Sequence, residues 1–290
     1  MVHHVTERRE MPVFLIGCHR SGTTVARYLL DAHPEIVCPP ESKFLTALQE
    51  FMGAPQVLPA LVSLRLHPTE LLAELGLFAH RLFDLSARKG GKRRWIDKTP
   101  NYYRILPFID DIFARNALFL FMVRHPLDTV ASLQEHFWYA TARHEDPDIA
   151  RVVAEHGTGL QSWARYWREA YETIDVFASA RSDRACFFKY EELVRAPEDT
   201  LARLLAFIGE APAGQIAETA FGAVHDPGYE DPKARVSTTL HHLSVDRWRK
   251  WPTEQTLALW PIVAEPASRF GYAIDSNQCP QVPGGGGGGP

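Results

Sequence analysis

The chain of 290 residues has few cysteines, no long apolar run and no excess of basic charge. Its four cysteines lack zinc-ligand spacing and are too sparse for a disulfide framework, which predicts a reducing, cytoplasmic setting. No segment approaches the roughly 20 apolar residues that cross a bilayer, so we expect no membrane partner. The formal net charge of -4 argues against a nucleic-acid partner, because such partners usually meet a basic field.

The two ends of the chain are set aside from the fold prediction. Residues 1–10 are polar and lack the apolar core of a signal peptide, and the six consecutive glycines near the C-terminus cannot pack. We therefore predict flexible ends at 1–10 and 276–290, and a single domain over 11–275 that can bury a substantial core. Helical periodicity predicts a helical insertion within this domain at about 43–92.

Short apolar runs predict the strands of a parallel sheet. They lie near residues 13, 95, 118 and 186, and stretches of helical periodicity separate them. We expect a stiff, irregular connection over 31–42, because prolines interrupt it, and one helix over 101–114. The alternation predicts an α/β, P-loop-like three-layer fold, with a mostly parallel central sheet flanked by helices.

A glycine-bracketed turn follows the first predicted strand. The strand over 13–16, the loop over 17–22 and the helix from 23 bring backbone N–H groups and the positive end of a helix together, which favours a phosphate or sulfate. The loop resembles a P-loop but lacks the Gly-Lys-Ser/Thr ending that serves the γ-phosphate and magnesium, so we predict an anion site that needs no metal. An ordinary glycine turn is the alternative. The predicted ligand groups are Arg20, Ser21, Gly22, Thr23 and Thr24.

Polar residues follow two later strands and the proline-rich connection. Glu41 ends the connection, where it acts on the ligand or only favours the dipole of the next helix. Lys98 and Arg124 each end a predicted strand, and strand ends in an open α/β sheet meet at the ligand crevice. Ser132 follows Arg124 by eight residues, so both side chains can bind a second phosphate-like group. The alternatives are an exposed lysine and a structural arginine.

Together these motifs resemble those of sulfotransferases that use 3′-phosphoadenosine 5′-phosphosulfate (PAPS). The segment 17–24 (GCHRSGTT) and the segment 124–132 are similar to the phosphosulfate and 3′-phosphate motifs of that family. The segment from 31 to Glu41, with Asp97-Lys98-Thr99-Pro100, is most similar to the tyrosylprotein sulfotransferase branch and its bacterial relatives. The resemblance covers about 12–48 and 95–136 and is weaker elsewhere.

The resemblance implies a role for each matched residue. Glu41 matches the position of the family's catalytic base. Lys98 matches the position of the lysine that stabilises the sulfuryl oxygens, and Arg20 would assist it. His136 stands where the branch has an arginine, and the glycine-rich closing motif of cytosolic sulfotransferases is absent. The implied PAPS-binding residues are Arg20, Ser21, Gly22, Thr23, Thr24, Arg124, Ser132, Tyr190, Ser237 and Lys250.

The resulting prediction is in-line transfer of a sulfuryl group from PAPS to an acceptor hydroxyl, without a metal. The acceptor is left open between a peptide tyrosine, favoured by the resemblance and weakly by the basic turn at 88–94, and a small hydroxylated metabolite or carbohydrate. A P-loop nucleotide kinase and an inactive nucleotide-binding protein are the competing functions. A histidine near 225–242 is the competing base, and a homodimer is left open.

Overall fold

The computed structural model describes residues 8–141, 147–221 and 243–274, and only the backbone within 137–149. The chain divides into two compact units. The first contains residues 1–124 and 169–243, and the second contains 125–168 and 244–290. The single domain over 11–275 stays a prediction.

The first unit is built on a five-stranded sheet with strand order β2-β3-β1-β4-β5. All paired strands are parallel, and the central strand β1 is completely buried. A parallel sheet of this kind is covered by helices, which its nearly continuous apolar strands require. The predicted α/β fold is therefore confirmed. The strands are β1 (Val13–Gly17), β2 (Ile36–Val37), β3 (Arg94–Lys98), β4 (Leu118–Val123) and β5 (Ala185–Lys189).

Most helices occur where the apolar periodicity predicts them. The insertion between β2 and β3 contains three of them, and the longest, α4, has a proline at its first position and a capping box at its start. The helices of the first unit are α1 (Thr23–Asp31), α2 (Phe44–Met52), α3 (Val57–Leu64), α4 (Pro68–Lys89), α5 (Leu106–Ile112), α9 (Tyr190–Arg195), α10 (Pro197–Ile208) and α11 (Ile216–Ala220). The second unit contains α6 (Pro126–Thr141), α7 (Pro147–His156) and α12 (Thr253–Arg269), and α8 (Leu160–Ser179) begins there.

Two segments differ from the sequence prediction. The connection over 31–42 contains the short strand β2, which pairs with the start of β3 and is too short to carry an apolar pattern. The single helix predicted over 101–114 is instead a 3-10 helix, Pro100–Ile105, followed by α5. Pro107 lies in the first turn of α5, and its missing N–H explains why the backbone ladder restarts there.

Two arginines near the N-terminus are held by the first unit. Arg8 donates hydrogen bonds to the carbonyl oxygens of Phe207 and Asp183, and Arg9 donates one to that of Gly209. These residues belong to the stretch that the sequence analysis set aside as flexible, and they bind carbonyl groups at the ends of neighbouring elements.

No described helix combines the length and the apolar character that crossing a membrane requires. Of the cysteines within the described ranges, Cys18, Cys38 and Cys186 are free thiols. Burial raises the pKa of the Cys38 thiol.

An ion pair is buried at the amino end of β3. Arg94 Nη1 lies 2.9 Å from Glu210 Oε1, and the side chains are only 4% and 1% exposed. The guanidinium also donates to the carbonyl oxygens of Ile208, Arg8 and Met11. The pair therefore joins β3 to the N-terminal segment and to the end of α10.

We expect Arg94→Ala to lower the free energy of unfolding by about 3 kcal/mol, because the buried Glu210 would keep only the half-exposed Arg93 as an ion-pair partner among the described residues. The matched control is Arg203→Ala, which removes an arginine from an exposed pair with Glu192. That variant should lose less than about 1 kcal/mol. Urea unfolding at neutral pH measures both, and equal losses would contradict the prediction.

Candidate functional site

The carboxyl ends of the parallel strands lie along one edge of the sheet. Leu15 of β1 is opposite Lys98, the last residue of β3, and Gly17 is opposite Met122 near the end of β4. The segments that leave these strands therefore start at a common edge, as in other open α/β sheets that bind ligands there. The loop over 17–22, hereafter the anion loop, leaves β1 at this edge.

The anion loop turns tightly before α1. Arg20 and Gly22 have positive φ angles of 67° and 99°, and the N–H of Ser21 donates to the carbonyl oxygen of Cys18. Gly22 is required for space as well, because a Cβ there would lie 2.4 Å from the ring of Tyr190. In the described structure no side chain caps α1 and no acidic residue lies in its first turn. The positive end of the helix can therefore face an anion.

A buried hydroxyl group points to the same conclusion. The Oγ atom of Ser21 lies beside the phenol of Tyr171, but makes no hydrogen bond of standard geometry within the described ranges. A buried polar atom without a partner destabilises the fold, so a ligand that accepts its hydrogen bond would relieve this cost. The hydroxyl-bearing residues Thr23 and Thr24 are also buried at this helix end. The donor set of the loop therefore fits a phosphate or sulfate group.

Arg124 and Tyr190 contact the anion loop from the ends of β4 and β5. Arg124 Nη1 donates to the carbonyl oxygen of Arg20 at 2.8 Å, and its guanidinium lies 4.8 Å from the centroid of the Tyr190 ring. Both side chains are buried. Tyr190 thus contacts Gly22 and Arg124, and its binding of PAPS stays a prediction.

Glu41 and Lys98 form an ion pair at the end of β3. Lys98 Nζ lies 2.9 Å from Glu41 Oε1, and the side chains are 0% and 13% exposed. The alternative that Lys98 is an exposed loop lysine is wrong. A buried ammonium group is strongly destabilised without a partner, which Glu41 supplies. The structure thus joins the two residues to which the resemblance assigns the chemistry.

A polar group lies next to this ion pair, and the sequence motif that contains Asp97 assigned it no role. Asp97 is completely buried and accepts hydrogen bonds from Ser42 Oγ at 3.0 Å and from Thr99 Oγ1 at 3.2 Å. Burial raises the pKa of Asp97 to about 6, although these hydrogen bonds act in the opposite direction. An aspartate within a buried strand was the available signal, because buried carboxylates need partners.

Tyr171 is a second residue that sequence analysis did not single out. Its hydroxyl donates to the carbonyl oxygen of Met122 at 2.7 Å and lies 3.5 Å from the backbone nitrogen of Cys18. The aromatic spacing of α8 predicts only a core face, and the ring of Tyr171 is indeed buried. Its hydroxyl joins β4 to the start of the anion loop, as a buried tyrosine that needs a polar partner can.

The second unit contains Ser132 and Lys250. Asp128 in α6 accepts hydrogen bonds from the backbone N–H groups of Asp246 and Trp248, at 2.8 and 3.1 Å. Ser132 follows Asp128 by one helical turn, so it lies on the face of α6 that meets the 3-10 helix Arg247–Lys250. His136 lies a further turn along α6. Ser237 and the histidines near 225–242 lie outside the described residues.

A family model described as Sulfotransferase family matches residues 12–212. The chain is 28% identical over 263 residues to Nodulation protein NoeE of Sinorhizobium fredii (strain NBRC 101917 / NGR234), covering 84% of this chain and 60% of NoeE. It is 29% identical over 208 residues to the Protein-tyrosine sulfotransferase of Drosophila melanogaster, covering 69% of this chain and 38% of that protein. The chain therefore spans less than two thirds of either relative.

Two solved structures have a similar fold. The sulfotransferase domain from the curacin biosynthetic pathway has a TM-score of 0.61 at 18% identity, covering 91% of this chain and 99% of that domain. The mouse sulfotransferase SULT7A1, solved in complex with PAP, has a TM-score of 0.52 at 16% identity, covering 89% of this chain and 84% of that one. Similarity at these identities shows the fold alone.

We expect the stability of the chain to depend on the protonation of Asp97. Its pKa of about 6 in the folded chain lies above the value near 3.9 of an unfolded aspartate, so folding favours the protonated form. This contribution is present below about pH 4 and is lost as the pH rises through 6, and it amounts to about 3 kcal/mol.

The free energy of unfolding of Asp97→Asn, relative to the wild type, should therefore rise by about 2 kcal/mol between pH 4 and pH 7, since at pH 4 part of the full contribution is already lost. Urea unfolding at the two pH values measures it. The control is Asp111→Asn, since Asp111 is an exposed aspartate of α5. A wild-type-to-variant difference that is the same at both pH values would contradict the assignment.

Proposed function

We propose that the chain, which belongs to the sulfotransferase family, transfers a sulfuryl group from PAPS to a hydroxyl group of an acceptor. The observation that carries the proposal is the buried Lys98–Glu41 ion pair, whose lysine ends β3, the strand next to the one that leads into the anion loop. Such a transfer needs two groups: a cation that stabilises the developing negative charge, and a carboxylate that accepts the proton of the acceptor hydroxyl.

The donor set supports PAPS as the co-substrate. When bound, PAPS supplies an activated sulfuryl group whose leaving group is the nucleotide phosphate. The anion loop fits the 5′-phosphosulfate, because its helix end is uncapped and the Ser21 hydroxyl lacks a standard hydrogen bond within the described ranges. We assign that group to Arg20, Ser21, Gly22, Thr23 and Thr24, and the 3′-phosphate and nucleoside to Arg124, Ser132, Tyr190, Ser237 and Lys250.

Each residue of the ion pair has one task in this mechanism. Glu41 accepts the proton of the acceptor hydroxyl at a carboxylate oxygen. Lys98 and Arg20 stabilise the negative charge that develops on the sulfuryl and bridging oxygens. Because Lys98 is buried, its charge acts where water screens it little. Positioning and electrostatics therefore carry the reaction, without a covalent enzyme intermediate.

The first candidate acceptor is the phenol of a tyrosine in a peptide or protein. Its support is the name of the Drosophila relative and the basic stretch over 88–94, which suits an acidic peptide.

A small hydroxylated metabolite or carbohydrate is the second candidate. An apolar surface on the insertion favours an apolar small acceptor: Phe51, Phe78 and Leu82 are exposed there, and Phe44, three residues after Glu41, contacts Phe78. Cytoplasmic localisation and the homodimer stay predictions.

We expect labelled sulfate to pass from PAPS to an acidic tyrosine peptide faster than to small phenols or sugars at equal concentration. The matched control is the same peptide with phenylalanine in place of tyrosine, which should accept no label. Preference for a small phenol would reverse the choice of acceptor. A chain that neither transfers sulfate to any acceptor nor binds 3′-phosphoadenosine 5′-phosphate (PAP) would overturn the proposed function.

We expect Glu41→Gln and Lys98→Ala each to lower turnover on the order of 10²-fold, because each removes one acid–base or electrostatic group. Titration with PAP should show that Glu41→Gln still binds the nucleotide. The control is Glu50→Gln, an exposed glutamate of α2, whose turnover should equal that of the wild type. Near-normal turnover of Glu41→Gln would move the base to another residue, such as a histidine near 225–242.

A further inference from the structure

Asp97 is a buried carboxylate that the proposed mechanism does not use. Two consecutive residues at the end of β3 bind two consecutive residues of the loop that precedes α2: Lys98 Nζ binds Glu41, and Asp97 accepts from Ser42. Consecutive residues of a strand project to opposite faces, so the two contacts hold the loop from two directions. With the Lys98–Glu41 ion pair alone, the Glu41 side chain could rotate about that one contact.

The hydroxyl of Tyr102 connects the same loop to the start of α2 through hydrogen bonds. Its completely buried hydroxyl lies 3.2 Å from Ser42 Oγ and accepts a hydrogen bond from the N–H of Leu45 at 3.0 Å. The N–H of Phe44 donates to Ser42 Oγ at 3.3 Å. Ser42 is therefore joined to the strand end, to the 3-10 helix and to the first turn of α2.

The backbone of this loop needs such support. Lys43, at the start of α2, has a φ angle of 51°, which a residue other than glycine adopts at a cost of about 1 kcal/mol or more. No side chain of the described structure caps α2 at Lys43. The hydrogen bonds of Ser42 and Tyr102 instead satisfy N–H groups in its first turn.

We propose that Ser42, Asp97 and Tyr102 are positioning residues that hold Glu41 in place for proton transfer. The proposal rests on the function proposed above for Glu41. Its physical reason is the exchange of partners at Lys98: when the ammonium group turns to a bound anion, its bond to Glu41 weakens. The Ser42 hydrogen bonds then keep the loop at the strand end, so the base remains where the acceptor hydroxyl arrives.

Ser42→Ala should lower kcat about 10-fold or more, because small displacements of a catalytic group are costly. The dissociation constant for PAP should not change, since Ser42 lies outside the anion loop. Ser42→Thr keeps a hydroxyl and should restore most of kcat. The control is Ser63→Ala in α3, whose exposed hydroxyl donates to the carbonyl oxygen of Pro59 in its own helix. Loss of PAP affinity in step with kcat would overturn the proposal.

A double variant separates positioning from general damage. Adding Ser42→Ala to Glu41→Gln should cost no more than about twofold further, because the group that Ser42 positions is already absent. The same measurement with Asp97→Asn replacing Ser42→Ala should agree. A further loss in the Glu41→Gln background as large as in the wild type would overturn the proposal.

Hydrogen exchange gives a readout that does not depend on turnover. In Ser42→Ala the backbone N–H of Phe44, and in Tyr102→Phe that of Leu45, should exchange faster than in the wild type, while Ser63→Ala should leave both unchanged. Unchanged exchange in Ser42→Ala and Tyr102→Phe would overturn the proposal even if the chain transfers sulfate. A wild type that binds no PAP would overturn the proposed function, and faster exchange would then still support the loop contacts.

Discussion

The structure of the candidate site depends on one buried charge, the ammonium group of Lys98. It lies at the end of a strand inside the sheet, where an unpaired cation would be strongly destabilised, so it requires the carboxylate of Glu41 at 2.9 Å. The loop that carries Glu41 must therefore lie against the end of β3. Ser42 and Tyr102 join this loop to Asp97 and to α2, and the same requirement explains why polar groups concentrate there.

The parallel sheet determines which charges share an edge. β1 leads into the anion loop, β3 ends on Lys98, and β4 is followed by Arg124, whose guanidinium binds the carbonyl oxygen of Arg20. The chain as a whole is acidic, with a formal net charge of -4, so attraction for an anion is local to this edge. An uncapped helix end and a buried serine hydroxyl add to it without further net charge.

Features that depend on neighbouring residues in the chain were predictable. The apolar runs of β1 and β4, the glycine loop and the helix after it all agree with the structure, because each expresses a local preference of the backbone. β2 was not predictable, since its two residues are held by pairing with β3. The break before α5 was missed although Pro107 signals it. Tyr171 was read as a core residue from its spacing, which describes the ring but does not show the partner of the hydroxyl.

The α/β architecture, the anion loop and the polar residues at the strand ends could be predicted from the sequence, because strand, turn and helix preferences act over a few residues. The pairing of Glu41 with Lys98, the hydrogen bond from Ser42 to Asp97 and the packing of Tyr190 against Gly22 became known only from the folded chain. They join residues that are far apart in the sequence. Glu41 and Lys98 are 57 positions apart, and they meet because the register of the parallel strands brings the end of β3 to the loop before α2, where a buried lysine needs a partner.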